Sequence, residues 1–253
     1  MKNKIQQKFS ASAKNYDRFS SLHREIADKL LARVIKEPVP SAFLDVGCGT
    51  GYFTALLKGN FPQSNIVGLD FAQGMIDAAR ARHDGIDWVL ADGNNLPFAK
   101  ESFDIVVSNL AYQWAGYLIR VFNEARRVLV PEGTFVGTLF GYNTCQELFQ
   151  SLDEAKPGAF KFSRLPDEAQ VREALDLSGF KSFNVNSENI KVEFKDMYEL
   201  IAWFKSIGAN NLSREGYLGP EAISRAADIY REKFAFLNGV GATFEVIWFY
   251  AKK

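Results

Sequence analysis

Leu44-Asp45-Val46-Gly47-Cys48-Gly49-Thr50-Gly51 is the stretch from which the rest of the chain can be read. Ala42–Val46 is a short apolar run, which predicts a strand. The glycines at 47, 49 and 51 predict a tight turn, and Tyr52–Lys58 predicts the helix that follows. Glycine at such a bend lets the backbone turn sharply and approach a ligand with no Cβ in the way.

Working outward, the same alternation recurs. Strands are predicted at Asn65–Asp70, Ile86–Ala91, Phe103–Asn109 and Thr134–Phe140. Helices are predicted at Gln73–Arg82 and Tyr117–Leu129, the second carrying an apolar stripe of Leu118, Val121, Phe122, Ala125, Val128 and Leu129. Strand-helix alternation over short connections implies right-handed crossovers and a parallel sheet. "DIVVSNL" is nearly continuous in apolar residues, as a strand buried on both faces should be. Upstream, residues 20–36 have the spacing of an amphipathic helix that Pro38 and Pro40 end. Downstream of residue 141 the alternation loosens. Helical segments are expected near 144–155, 167–178, Met197–Ser206 and Pro220–Leu237, with strands near 181–194 and at Ala242–Ala251. The expected fold is a doubly wound, seven-stranded α/β sheet. Residues 1–40 form an N-terminal helical flap, 41–141 the nucleotide-binding core, and 142–253 complete the sheet and carry a helical lid.

Three features fall at the carboxyl ends of three successive strands, where open α/β sheets bind ligands. The glycine turn ends the first. Asp70 ends the second, 19 residues beyond Gly51, a distance at which an acid accepts hydrogen bonds from ribose hydroxyls. Asp92 closes the third, placed to meet an adenine amino group. The dinucleotide fingerprint is G-x-G-x-x-G, whereas this turn is G-x-G-x-G with an acid ahead of it, and no phosphate-loop lysine follows.

That pattern resembles motif I of the class I S-adenosylmethionine (SAM) methyltransferases over roughly residues 40–140. The resemblance implies a Rossmann-like core with SAM as cofactor and S-adenosylhomocysteine as product. It implies Asp45 and the backbone of Gly47, Cys48, Gly49 and Gly51 at the methionine end, and Asp70 on the ribose. Phe71 and Met75 would lie near the adenine, Asp92 and Gly93 at the base, and Asn109 and Leu110 near the sulfonium. A wall of carboxylates and aromatic faces suits that positive sulfur.

Finer strings narrow the family. "FSASAKNYD" at 9–17, "SNLAYQW" at 108–114, "FVGTLF" at 135–140 and "FKSIGAN" at 204–210 together resemble the malonyl-acyl carrier protein O-methyltransferases of biotin synthesis. The resemblance runs through most of the chain. It departs at Gly141-Tyr142-Asn143-Thr144, where family members often carry a Gly-Ser-Leu-like turn. The implied reaction methylates the free carboxylate of a malonyl thioester on acyl carrier protein. A carboxylate is already the nucleophile at neutral pH, so no general base is required.

The residues expected at the reacting end are Tyr16, Asn109, Gln113 and Arg164. Arg164, in "FKFSRLPDE", is the first choice to hold the acceptor carboxylate and Lys161 the second. Tyr16 with Phe9 would form a flap over the cofactor. Gln113 or Tyr112 would touch the acceptor, and Trp114 reads as an anchor. His23 and His83 read as ordinary helix or loop residues. Carrier proteins are acidic, so Lys195, Lys205, Arg214, Arg225, Arg231 and Lys233 are candidates for a docking face.

Composition bounds the alternatives. Lys+Arg and Asp+Glu are equal at 30 each, which disfavours a protein that coats nucleic acid. The polar start of the chain has no secretory h-region, and no apolar run nears membrane-spanning length. Cys48 and Cys145 have neither metal-ligand nor disulfide spacing. The expectation is a cytoplasmic enzyme with no metal and no membrane or nucleic-acid partner. Two other readings keep the same cofactor site: a methyltransferase of another small acceptor or a quinone precursor, and a non-catalytic SAM-binding regulatory module. A dinucleotide oxidoreductase is opposed by the glycine spacing.

Overall fold

A computed structural model describes residues 2–253 apart from 38, 159–160, 163–164, 210–212 and 216–217; side chains at 2–3, 161–162 and 213–215 lie outside the description. The elements run α1 Lys2–Ser12, α2 Tyr16–Phe19, α3 Ser21–Val34, β1 Ala42–Val46, α4 Tyr52–Asn60, β2 Asn65–Asp70, α5 Gln73–Arg82, β3 Asp87–Leu90 and β4 Phe103–Asn109. A 3₁₀ turn at Tyr112–Trp114 leads to α6 Leu118–Val128 and β5 Leu129–Phe140. Then follow α7 Gln146–Ala155, β6 Lys161–Phe162, α8 Glu168–Leu177, β7 Ser182–Phe194, α9 Met197–Ser206, β8 Ser213–Glu215, α10 Pro220–Lys233, β9 Ala235–Phe236 and β10 Gly239–Lys252.

Seven strands lie in the order β3-β2-β1-β4-β5-β10-β7, with β9 pairing on β10 and β6 with β8 forming a separate two-stranded piece. The first five strands are parallel, and β10 runs antiparallel between β5 and β7. The chain leaves β1 toward β2 on one side and returns to β4 on the other, so the sheet's switch point lies between β1 and β4. The glycine turn leaves β1 at that point.

Strand geometry explains the two helical layers. Successive side chains face opposite ways. Phe43, Ile105, Val107 and Val136 therefore enter a core shared with α3, α4, α7, α9 and α10. Leu44, Val106 and Phe135 enter the other, shared with α6 and α8. β1 and β4 are buried almost throughout, as their apolar runs require.

Three expectations change in the C-terminal part. The strands expected near 181–194 are one strand of 13 residues, paired along its length with β10. The helix expected to reach Leu237 stops at Lys233, because Ala235–Phe236 turns back to pair with β10. The last strand is longer than its aromatic stretch suggests, Gly239–Lys252. Among the described residues no helix is long and apolar enough to cross a membrane, and no group of three or more His, Cys, Asp or Glu could hold a metal.

Candidate active site

The turn after β1 has the backbone that its glycines permit: φ is +80° at Gly47, +56° at Gly49 and +88° at Gly51. The amides of Gly47 and Cys48 donate to the Leu69 carbonyl at 2.7 and 3.0 Å, which ties the turn to the end of β2. A Cβ on Gly47 would collide with the Ala111 side chain, so the turn after β1 and the segment after β4 lie in direct contact. Gly51 caps α4 and faces Trp88 and His83; it lines none of the cavities described below.

Two carboxylates are buried beside this turn. Asp70, 6% exposed, accepts from the amides of Gly49 at 3.0 Å and Ala72 at 2.8 Å. Desolvation outweighs those bonds and pushes its carboxyl up to about 6. Asp45, 1% exposed, accepts the Thr54 hydroxyl at 2.6 Å through one oxygen, while its Oδ1 has no partner among the described residues. Burial lifts it to about 7, with the nearby Asp70 adding to the rise. Asp92 is turned partly to its own loop, accepting from the backbone and side-chain amides of Asn94 at 2.9 Å each.

Three cavities meet over these groups. The first is a cleft of about 750 Å³. Gly47, Gly49, Asp70, Phe71, Met75, Asp92, Gly93, Asn109, Leu110 and Tyr112 all line it, so most of the expected cofactor residues come together there. A second space of about 440 Å³ lies behind the glycine turn and is lined by Asp45, Cys48 and Asn109. A third, of about 530 Å³, is mostly apolar, walled by Phe140, Phe149, Leu165, Phe204 and Ile207, with Gln113 among its polar residues. Tyr16 is common to all three.

The N-terminal helices close the cleft. Phe9 meets the rings of Phe71 and Trp114 edge-on at 6.2 and 5.6 Å. Gln6 donates to the Phe71 carbonyl at 2.6 Å. Asp17 ties the N-terminal helices to the glycine turn and to α5: it accepts the Thr50 hydroxyl at 2.7 Å and pairs with Arg82 at 2.6 Å. Tyr16 keeps its proton, because burial and the charges of Asp70 and Asp17 push its hydroxyl far above the usual tyrosine range. Its hydroxyl therefore has a proton to donate at this junction.

After β4 the chain makes a strained step. Leu110 holds φ +52° although it carries a side chain, anchored by bonds from its amide to the Thr138 carbonyl and hydroxyl. Asn109 accepts from Thr138 at 2.8 Å and donates to the His23 carbonyl at 3.1 Å, joining β4, β5 and α3. Its side chain acts as a brace as well as a lining group. The Gln113 amide donates to the Leu110 carbonyl at 2.8 Å, leaving Oε1 buried without a partner among the described residues. Tyr112 packs between Phe122 and Phe135 and borders the cofactor cleft, whereas Gln113 borders the apolar cavity. Arg164 and the side chains of Lys161 and Arg214 lie outside the described residues. Lys195, Lys205, Arg225, Arg231 and Lys233 are exposed; Arg231 pairs with Asp228 and Lys233 with Glu154.

Sequence reasoning passed over Asp17 and His23. Asp17 stands inside the quoted string 9–17, next to Tyr16, but its role is a matter of three-dimensional neighbours. His23 lies on α3 at helical spacing and reads as a core position, yet it lines both the apolar cavity and the space behind the glycine turn.

Comparison with known proteins agrees with this geometry. A methyltransferase-domain family model matches residues 44–137. The malonyl-[acyl-carrier protein] O-methyltransferase of Methylococcus capsulatus is 32% identical over 94% of this chain and 89% of its own. That of Geobacter sulfurreducens is 32% identical over 99% and 98%. Among solved structures, the Bacillus subtilis YcgJ protein aligns with a TM-score of 0.65 at 13% identity, over 90% of this chain and 97% of its own. Phosphoethanolamine N-methyltransferase 2 of Haemonchus contortus, in complex with SAM, aligns with 0.62 at 17%, over 96% and 57%.

Proposed function

Because the chain belongs to the malonyl-[acyl-carrier protein] O-methyltransferases, a family of SAM-dependent enzymes, we propose that it methylates the free carboxylate of a malonyl group carried as a thioester on acyl carrier protein. The observation that carries this reading is the junction at Tyr16, where a cleft lined by the buried Asp70 and the half-buried Asp92 shares Phe9, Tyr16, Leu110 and Trp114 with a mostly apolar cavity. The cofactor residues fit: two buried carboxylates, one with an unpartnered oxygen, suit a ligand bearing ribose hydroxyls and positive charge. When bound, SAM supplies an activated methyl, which the acceptor oxygen takes as the carbon–sulfur bond breaks and S-adenosylhomocysteine leaves.

The protein's own part is positioning and exclusion of water. Asp70 and the glycine turn hold the nucleoside. Tyr16 donates at the junction, and its retained proton means that it is not a base. The aromatic wall of Phe140, Phe149 and Phe204 desolvates the acceptor, which strengthens a carboxylate nucleophile. Arg164 would anchor that carboxylate, and the exposed bases of α9 and α10 would face the acidic carrier.

The test is transfer of labelled methyl from SAM to malonyl-carrier protein, set against malonyl-coenzyme A and small free acids. The expected result is transfer to the carrier-bound malonyl group, lost in Arg164→Ala while cofactor affinity is nearly kept. Transfer only to an unrelated small acceptor would favour the other-acceptor reading, and cofactor binding with no transfer to any acceptor would favour the regulatory module.

The raised carboxyls give a second expectation. Asp45 and Asp70 are substantially protonated below about 7 and 6, and a positively charged ligand prefers them ionised. SAM affinity should therefore approach its full value above pH 7.5 and weaken on the order of a hundredfold by pH 5.5, with protons released on binding near pH 6.5. Calorimetry in two buffers of different ionisation enthalpy reads both. A flat affinity with no proton release would show that neither acid faces the ligand.

A further inference from the structure

We infer that His23 is a positioning and specificity residue whose imidazole receives the acceptor's carboxylate by a hydrogen bond, an assignment that rests on the carboxyl-methylation reading above. His23 sits where the apolar cavity meets the space behind the glycine turn; apart from Tyr16, it is the one residue among those described that lines both. Rings hold it on three sides: Tyr16 at 5.8 Å, Phe140 at 5.8 Å and Trp203 at 5.9 Å. Its main-chain carbonyl is held by Asn109 at 3.1 Å. The ring is thus fixed in place, yet its Nδ1 is shut off from solvent with no hydrogen-bond partner among the described residues. A buried polar atom left unpaired is costly, and in a packed site it points to a ligand that completes it.

The other polar groups of the cavity are committed elsewhere. The Thr144 hydroxyl bonds the Glu245 backbone. One Gln113 amide N–H donates to the Leu110 carbonyl, and its Oε1 is an acceptor that a carboxylate avoids. Charged neighbours do not compete for the ring: Arg24, next on α3, turns to Asp17 and the Tyr52 ring, Asp45 bonds Thr54 across the smaller cavity, and the Cys145 thiol at the start of α7 stays protonated through burial.

Burial holds the imidazole down to about 4, so it is neutral at pH 7. Neutrality suits the place. A second positive charge here, added to that of Arg164, would repel the nearby sulfonium and hold the carboxylate too tightly to react. A neutral N–H orients the acceptor without either penalty, and it favours an anionic head over an uncharged acyl group.

His23→Phe keeps a ring of similar size among the same neighbours and removes the hydrogen bond. It should raise KM for the malonyl acceptor about tenfold or more, with S-adenosylhomocysteine affinity and melting temperature little changed. His23→Asn, which restores an N–H near Nδ1, should recover most of the loss. In wild type loaded with S-adenosylhomocysteine, a malonyl thioester should move the His23 ring-nitrogen NMR resonances, and an acetyl thioester should leave them in place. An unaltered KM in a folded His23→Phe, or unmoved resonances at saturating malonyl thioester, would overturn the assignment; should that variant not fold, the wild-type spectra decide. A wild-type enzyme that cannot methylate the malonyl thioester overturns the acceptor reading itself, and this assignment with it.

Discussion

Asp70→Ala should raise the dissociation constant for S-adenosylhomocysteine by at least about a hundredfold. Two effects combine. In the proposed site the carboxylate would offer charge-assisted hydrogen bonds to ribose hydroxyls, each contributing roughly 1.5–3 kcal/mol when desolvated. The same oxygens already fix the Gly49 and Ala72 amides, so removal also loosens the cradle. Asp70→Asn separates the two, because an amide oxygen still accepts one backbone bond but carries no charge. It should lose most of the affinity while keeping the fold. Stability should move the other way from binding. The folded-state carboxyl lies above its unfolded value, so its contribution is fully present below about pH 4 and is lost as pH rises through about 6. At pH 7.5 the ionised, buried Asp70 therefore burdens the unliganded protein, and Asp70→Asn should melt no lower than wild type. Calorimetric titration and thermal melts at that pH check both halves. An Asn variant that binds normally would remove Asp70 from the cofactor site.

How far the site was legible in sequence follows from how local each cause is. The glycine turn, the acids at two strand ends and the apolar run of β4 are short-range patterns, and each carries its backbone consequence with it. Asp70 needed only a spacing, and Tyr16 needed only its string. Gly51 shared the string but not the cavity: its left-handed φ starts α4, and the space above it belongs to Trp88 and His83. Asp17 and His23 escaped because their meaning is long-range. Asp17 acts on Thr50 and Arg82, and His23 on a cavity whose far wall is α9. α1 came within the expected helical flap of residues 1–40 but without bounds of its own. Its sequence, KNKIQQKFSAS, is polar with weak periodicity, so its position comes from docking on α5 rather than from its own pattern. The one-piece β7 likewise owes its 13 residues to pairing with β10, where alternating exposed residues such as Glu188 and Lys191 look like loop chemistry when read alone.

That docking of α1 on α5 gives the second large expectation. Gly74 lies in the first turn of α5, and a Cβ there would run into the carbonyl oxygen of Ser10 and come within 2.8 Å of the Ser10 Cα. The contact is backbone on both sides, so no side chain can swing aside. Gly74 has ordinary helical φ, and leucine is a better helix former than glycine by roughly 0.5–1 kcal/mol, so Gly74→Leu should not weaken α5 itself. It should instead lift α1, and with α1 the ring of Phe9 and the approach of Tyr16 to the junction. A displacement of about 1 Å at a reacting geometry can reduce rate about a hundredfold, and loss of that order in kcat/KM is the expected result. The melting temperature should stay near wild type, since the main cores draw nothing from α1. Limited proteolysis should cut the first twenty residues faster. Gly59→Leu, in α4 with open space around its Cβ position, makes the same chemical change away from the flap and should leave kcat/KM alone. If Gly74→Leu kept full activity with α1 protected from protease, the N-terminal helices would be a covering with no part in catalysis; if it lost activity only by unfolding, its melting curve would show it beside that of Gly59→Leu.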